Sequence, residues 1–293
     1  MLLEEIAISF PGVGIDEINP PTGFYIPGTN FEIKFYGLII AIGMLLAVVY
    51  AMRRSKQFGL TSDDIMNIVI VGLPSAILGA RLYYVIFYGT PWNEFFKIRN
   101  GGLAIYGGVI GAVLALGIYF LSSPKRRAKL LPSLDIAGLG LLIGQSIGRW
   151  GNFFNREAHG GETDCFLRMG LRVGGEWTYY HPTFLYESVW NAVGLLLLHF
   201  LSKKRKFDGE VFLLYLAWYG LGRAVIEGMR TDSLYWGPFR VSQVLAALTC
   251  VISLGIIAFV RWRKHPDGSQ MLVNRSAPQE PAENTETTEH PEN

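Results

Sequence analysis

Residues 134–160 read LDIAGLGLLIGQSIGRWGNFFNREAHG, an apolar run with Gly140, Gly144 and Gly148 at four-residue spacing that ends in Arg149, Asn152, Asn155, Arg156 and Glu157. Small residues four apart let helix backbones approach closely within a bilayer. A cluster of charged and amide side chains closing so greasy a run marks a polar site at the end of a membrane span. Arg149, Asn152 and Arg156 stand at i, i+3 and i+7, so a helix continuing that far would present all three on one face.

Six more apolar blocks flank this run, at roughly 33–52, 65–88, 102–122, 183–201, 210–229 and 241–262. Crossing a hydrocarbon core takes about 20 such residues, and the run starting at 134 reaches that length only by continuing into GRWGN. Half of the 293 residues are hydrophobic and 17% charged, in long blocks parted by short basic loops, which is the pattern of a bilayer protein. The expected fold is an all-α integral membrane protein: seven transmembrane helices over 31–264, an N-terminal arm over 1–30 and a small extracytoplasmic head over 152–182.

Lys and Arg accumulate on the cytoplasmic side of short loops. Here they follow the first, third, fifth and seventh blocks: Arg53, Arg54 and Lys56; Lys125, Arg126, Arg127 and Lys129; Lys203, Lys204, Arg205 and Lys206; Arg261, Arg263 and Lys264. This alternation predicts a multi-pass protein of the cell membrane with its N-terminus outside and its C-terminus in the cytoplasm. Residues 265–293 turn to Pro, Glu, Thr and Asn and read as a disordered cytoplasmic tail. The tail carries six acids against one Arg, so a chain of net +2 leaves about +7 on the membrane part, a charge suited to anionic lipid and explained by the basic loops. No nucleic-acid partner is expected. The sequence shows no zinc-type spacing, Walker loop, GxSxG elbow or internal repeat.

The apolar runs contain Arg81, Arg149, Glu187, Arg223 and Glu227. An arginine at the centre of a span costs about 2.5 to 3.5 kcal/mol on the translocon scale, so the set calls for a function, although Arg223 and Glu227 at i, i+4 could simply pair. In the topology above these residues fall toward the outer side, with Tyr36, Tyr106 and Asn152. Gly107 and Gly108 stand beside them, where a missing side chain would let a ligand approach the backbone. The planar fork of a guanidinium fits phosphate, and the phosphate most available within a membrane is a lipid headgroup. A transporter or lipid flippase would also bury charge, but such folds are commonly built from repeats.

The motifs FYGL (35–38), GGLAIYGG (101–108), GRWGNFFNREAHG (148–160), HPTFLYE (181–187) and YGLGRAVIEGMR (219–230) give the chain a resemblance to the prolipoprotein diacylglyceryl transferase family over about residues 30 to 264. The resemblance implies transfer of the diacylglyceryl group from phosphatidylglycerol to the lipobox cysteine thiol in the signal peptide of a bacterial preprolipoprotein. A thioether forms and glycerol 1-phosphate leaves, with no metal or organic cofactor. Such chemistry needs a thiolate and a stabilised leaving phosphate. Position by position, the resemblance implies roles for Tyr36, Arg149, Asn152, Glu157, Gly160, Tyr219, Arg223 and Glu227. The expected catalytic set is Arg149, Arg223, Tyr106 and Glu227. Tyr36, Arg81, Gly107, Gly108, Asn152, Asn155, Glu157, Gly160, Glu187, Tyr219 and Arg230 are the expected substrate-binding set. Where some members carry histidine this chain has Tyr106, which is expected to donate a hydrogen bond to the lipid, since an ordinary tyrosine titrates near pH 10. His159 and His181 are read as loop and helix-start residues.

Overall fold

The computed structural model describes residues 6–29, 31–97, 101–231 and 235–275. Its helices are α1 (Phe35–Arg54), α2 (Ser62–Tyr88), α3 (Ile105–Leu121), α4 (Pro124–Ala128), α5 (Leu130–Asn155), α6 (Thr183–Leu201), α7 (Glu210–Ile226), α8 (Val241–Lys264) and α9 (Leu272–Arg275). Six of them, α1, α2 and α5 to α8, are long and apolar enough to cross a membrane. α3 holds no charged residue, but its 17 residues rise about 26 Å, short of a hydrocarbon core of about 30 Å. Leu45, Ile118 and Val251 are 63%, 72% and 68% exposed, an apolar outer surface suited to lipid tails.

Close packing follows the glycines. α2 and α3 meet where a Cβ on Gly107 would lie 2.3 Å from the Gly79 carbonyl oxygen and from Tyr83 Cβ, and one on Gly111 2.4 Å from the Ser75 oxygen. α1 crosses α5 at Gly43, 3.6 Å from Gly144 Cα by the same measure, and at Gly140, 3.6 Å from Ala47 Cβ. α5 runs through GRWGN and stops because Arg156 turns left-handed, at φ 50°. The single face expected for Arg149, Asn152 and Arg156 therefore breaks at its last member.

Strands are the main departure from an all-α expectation. β1 (Ala7–Phe10), β2 (Ile15–Ile18), β3 (Gly23–Tyr25), β4 (Glu32–Lys34), β5 (Met169–Val173), β6 (Glu176–Tyr180), β7 (Tyr235–Trp236) and β8 (Phe239–Arg240) form three antiparallel sheets. The largest has the order β2-β1-β5-β6, with Ile8 opposite Leu171 and Leu171 opposite Thr178, so the N-terminal arm and the segment between α5 and α6 are one unit. Its inner side chains, Ile8, Met169 and Leu171, pack with Phe184 and Phe153 over the ends of α6 and α5. Arg156 fastens the arm by donating to the carbonyls of Ile6 and Pro20 and to Asn19 Oδ1.

At the opposite ends of these helices the basic segments lie together. Arg54 on α1 donates to Ser202 Oγ, Arg205 to the Gln57 carbonyl, Lys129 to Asp64 and Arg261 to Glu210. Residues 265–275, read from sequence as disordered, are folded here: α9 packs beside Gly59, and Leu272 N donates to Asp208 Oδ2 at 2.8 Å. The buried side of Leu272, which joins the main core, explains the difference. The rest of that tail, 276–293, lies outside the described residues.

α7 begins after Gly209 without a capping side chain of its own. Asp135, fully buried on α5, accepts from Gly209 N at 2.8 Å and Phe212 N at 2.9 Å, and so caps α7 from a neighbouring helix. Asp135→Ala leaves two N–H groups unpaired, and the buried one, on Gly209, is expected to cost about 1 to 3 kcal/mol. A lowered melting temperature in detergent is the expected result, with Asp135→Asn closer to the parent; an unchanged melting temperature for the Ala variant would contradict the cap.

Candidate active site

The end of α5, the start of α6 and the end of α7 converge where the loop 156–162 is zipped between them. Gly160 N donates to the His181 carbonyl at 2.8 Å, His181 N to Gly161 at 3.0 Å, and Gly161 N to Met229 at 2.8 Å. Thr183 Oγ1, at the first residue of α6, donates to the Ala158 carbonyl. A Cβ on Gly160 would lie 2.7 Å from the Met229 oxygen and 2.8 Å from His181 Cβ, so only glycine allows the strand-like bridge between Gly160 and Arg230. This zipper sets the first turns of α6 against the last turn of α7.

One turn into α6, Glu187 is 5% exposed and collects three arginines from two other segments. Arg149 Nη2 pairs with its Oε2; Arg223 Nη1 lies 3.2 Å and Arg230 Nη1 3.7 Å from its Oε1. Arg223 Nη2 also lies 2.6 Å from Oε2 of Glu227, a charge contact one helical turn on that lacks hydrogen-bond alignment. Arg149 donates in addition to Asn152 Oδ1 at 3.4 Å, while Asn152 and Asn155 both donate to Glu157 Oε1, at 3.1 and 3.2 Å. Arg240, at the head of α8, donates to the backbone carbonyls of Glu227 and Arg230 and secures the turn after α7.

Glu187, Asn191, Tyr219 and Arg223 line a crevice with Trp190, Gly222 and Ile226. One wall is an interlock: Trp190 and Trp218 stack at 4.3 Å, each indole N–H donating 3.0 Å to the other's backbone carbonyl. Gly222 and Gly194 make room for it, since a Cβ on either would lie 2.2 Å from an indole nitrogen. Tyr36 covers α5 at Gly151, its ring 2.7 Å from where a Cβ would be. Arg149 and Arg223 keep 25% and 20% of their side-chain surface open. Two guanidinium forks held by one buried carboxylate and still partly open can clamp a tetrahedral anion; neither can act as a base, because arginine stays protonated.

Of the residues expected from sequence, Arg149, Asn152, Asn155, Glu157, Gly160, Glu187, Tyr219, Arg223, Glu227 and Arg230 are brought into this network or its lining, with Tyr36 against its α5 wall. Four belong to the α2–α3 pair instead. Arg81, 4% exposed, donates to the carbonyls of Glu94, Phe95, Gly101 and Gly102 and so organises the loop before α3. Gly107 is a helix-packing position, and Gly108 lies beside Ala76 and Ala80 of α2. Tyr106 is 66% exposed, with the Tyr83 ring 6.4 Å away.

His159 packs on Tyr180, and His181 takes part in the zipper, in line with their reading as loop and helix-start residues. Both cysteines are free thiols. Sequence reading overlooked Arg240, Asn191 and the tryptophan pair. Asn191 had a visible signal, a lone amide four residues after Glu187 in an apolar block; Arg240 had only its place at the head of one.

The family model described as "Prolipoprotein diacylglyceryl transferase" matches residues 21–260. The chain is 43% identical over 249 residues to the "Phosphatidylglycerol--prolipoprotein diacylglyceryl transferase" of Clostridium botulinum (strain Langeland), covering 81% of this chain and 95% of that relative. It is 40% identical over 267 residues to the proteins of the same description from Listeria welshimeri and Listeria innocua, covering 87% of this chain and 94% of each.

Proposed function

Because the chain belongs to the prolipoprotein diacylglyceryl transferase family, we propose that it transfers the diacylglyceryl group of phosphatidylglycerol to the lipobox cysteine thiol of a preprolipoprotein, releasing glycerol 1-phosphate. The observation that carries this reading is the pair Arg149 and Arg223 sharing Glu187, which lines the crevice together with Arg223. In the reaction the substrate thiol gives up its proton to water, the sulfur attacks the glyceryl carbon, the C–O bond to phosphate breaks, and its electron pair leaves with the phosphate. Arg149 and Arg223 meet the charge that grows there, while their field favours thiolate over thiol. Glu187 and Glu227 position the guanidinium groups, and Asn152 with Glu157 holds Arg149 from the other side.

The proposed setting is a seven-span protein in which α3 is the added short span. The basic segments face the cytoplasm, and the N-terminus, the β2-β1-β5-β6 sheet and the crevice face outward. Support comes from the gathering of the basic segments at the ends of α1, α5, α6 and α8 remote from that sheet. Phosphatidylglycerol would then reach the arginines from the outer leaflet.

Purified protein incubated with phosphatidylglycerol and a lipobox peptide is expected to yield peptide heavier by one diacylglyceryl group, with glycerol phosphate released in equal amount. Lipid movement without either product would instead favour a flippase. Arg149→Lys and Arg223→Lys keep the charge and lose the fork, so each is expected to lower kcat roughly hundredfold, the scale of removing one transition-state donor. Parental rates in either folded variant would remove the clamp.

Tyr106 is assigned a donor's part at most, its ring being exposed on α3. Tyr106→Phe is expected to lower kcat less than about tenfold, a single hydrogen bond's worth. A folded Phe variant with no detectable transfer would make Tyr106 the essential base.

A further inference from the structure

The ends of α5, α7 and α8 remote from the β2-β1-β5-β6 sheet border a cavity of about 1000 Å³. α8 stops at His265, which turns left-handed at φ 41°, and residues 265–272 then run along the cavity as a strap before α9 packs at Gly59. Leu131 and Leu134 of α5, Phe212 and Leu213 of α7 and Val260 of α8 give it an apolar wall, and none of the five is buried. Arg127, Lys206, Lys264 and Arg275 also line it, and none of them forms an ion pair among the described residues. The two acids of the lining are engaged in holding the strap: Asp208 Oδ2 accepts from Leu272 N at 2.8 Å, and Asp267 Oδ1 from Ser269 N and Oγ at 2.9 and 2.7 Å. Four cations against two acids leave the cavity positive.

An open apolar wall beside a positive lining suits an amphiphile with an anionic head. Free phosphate would meet the cations and leave the wall uncovered, and a neutral lipid would do the reverse. The wall belongs to helices long and apolar enough to cross a membrane, so acyl chains of the adjoining leaflet lie at its level. In the orientation proposed above that leaflet is the inner one, where basic pockets between spanning helices take anionic headgroups. We propose that this cavity binds one anionic phospholipid, its phosphate among Arg127, Lys206, Lys264 and Arg275 and its chains against α5, α7 and α8, and that the bound lipid holds the strap in place. The site lies at the other ends of α5 and α7 from the arginine crevice and is separate from it.

Hydrogen exchange of the 265–275 amides, followed by mass spectrometry on the full chain in neutral detergent, reads this cavity apart from the arginine crevice. Dioleoyl phosphatidic acid is expected to slow exchange there about tenfold relative to the lipid-free protein, and dioleoyl phosphatidylcholine or inorganic phosphate less than about twofold. Arg127→Gln, Lys264→Gln and Arg275→Gln combined are expected to abolish the effect of phosphatidic acid, with exchange outside 265–275 and the melting temperature near the parent's. The ranking of the three probes in the parent does not depend on how well that variant folds. No slowing by phosphatidic acid, or slowing as large with phosphatidylcholine or with inorganic phosphate, would overturn the inference, as would full lipid protection in the folded triple variant. Truncation after Arg275 addresses the chain's own acidic tail as occupant: faster exchange of 265–275 in the lipid-free truncated protein would assign the cavity to residues 276–293 and overturn the inference as well.

Discussion

One carboxylate, that of Glu187, holds three helix ends in register. A buried acid must be paired, and removing one partner from a buried ion pair costs about 3 to 5 kcal/mol because the other charge is left uncompensated. Glu187 meets that requirement by drawing in Arg149 from the end of α5 and Arg223 and Arg230 from the end of α7. Much of the surrounding structure serves this approach. Gly160 permits the loop zipper, Gly194 and Gly222 admit the tryptophan interlock, Arg240 ties the turn after α7, and Asp135 caps the far end of the same helix. The site is thus built on helices fixed at both ends, which suits a clamp whose geometry must not relax as charge develops.

The apolar blocks were legible because a bilayer demands long uninterrupted runs. α6 coincides with the block at 183–201, and α1, α2, α7 and α8 differ from theirs by a few residues. α5 is longer at both ends: Pro132 in its first turn is compatible with a helix start, and its polar last turn is held by the site itself. The sheet was not legible. AISF and MGLRV are short, and their pairing joins residues about 160 positions apart, a relation that no local pattern encodes.

Charge was easier to find than its use. Arg81, Arg149 and Arg156 all stood out in the sequence, yet only Arg149 faces a carboxylate in the crevice. Arg81 and Arg156 bond to backbone carbonyls of loops whose course depends on the finished fold. Glycines behaved alike. Gly107 and Gly160 both stand beside polar motifs, but the first lets α2 and α3 touch while the second lets the zipper close. What separates such cases is which neighbour a Cβ would strike.

Glu187 acts through its reach as well as its charge, since one carboxylate spans both guanidinium groups. Glu187→Asp keeps the negative charge and withdraws it by one methylene, so one carboxylate can no longer serve Arg149 and Arg223 together. The direct measurement is kcat of this variant with phosphatidylglycerol and a lipobox peptide, beside its melting temperature in detergent. A near-parental melting temperature with kcat lowered more than about tenfold is the predicted result, as expected when reacting groups are misplaced by about 1 Å. Parental kcat in the folded Asp variant would contradict it.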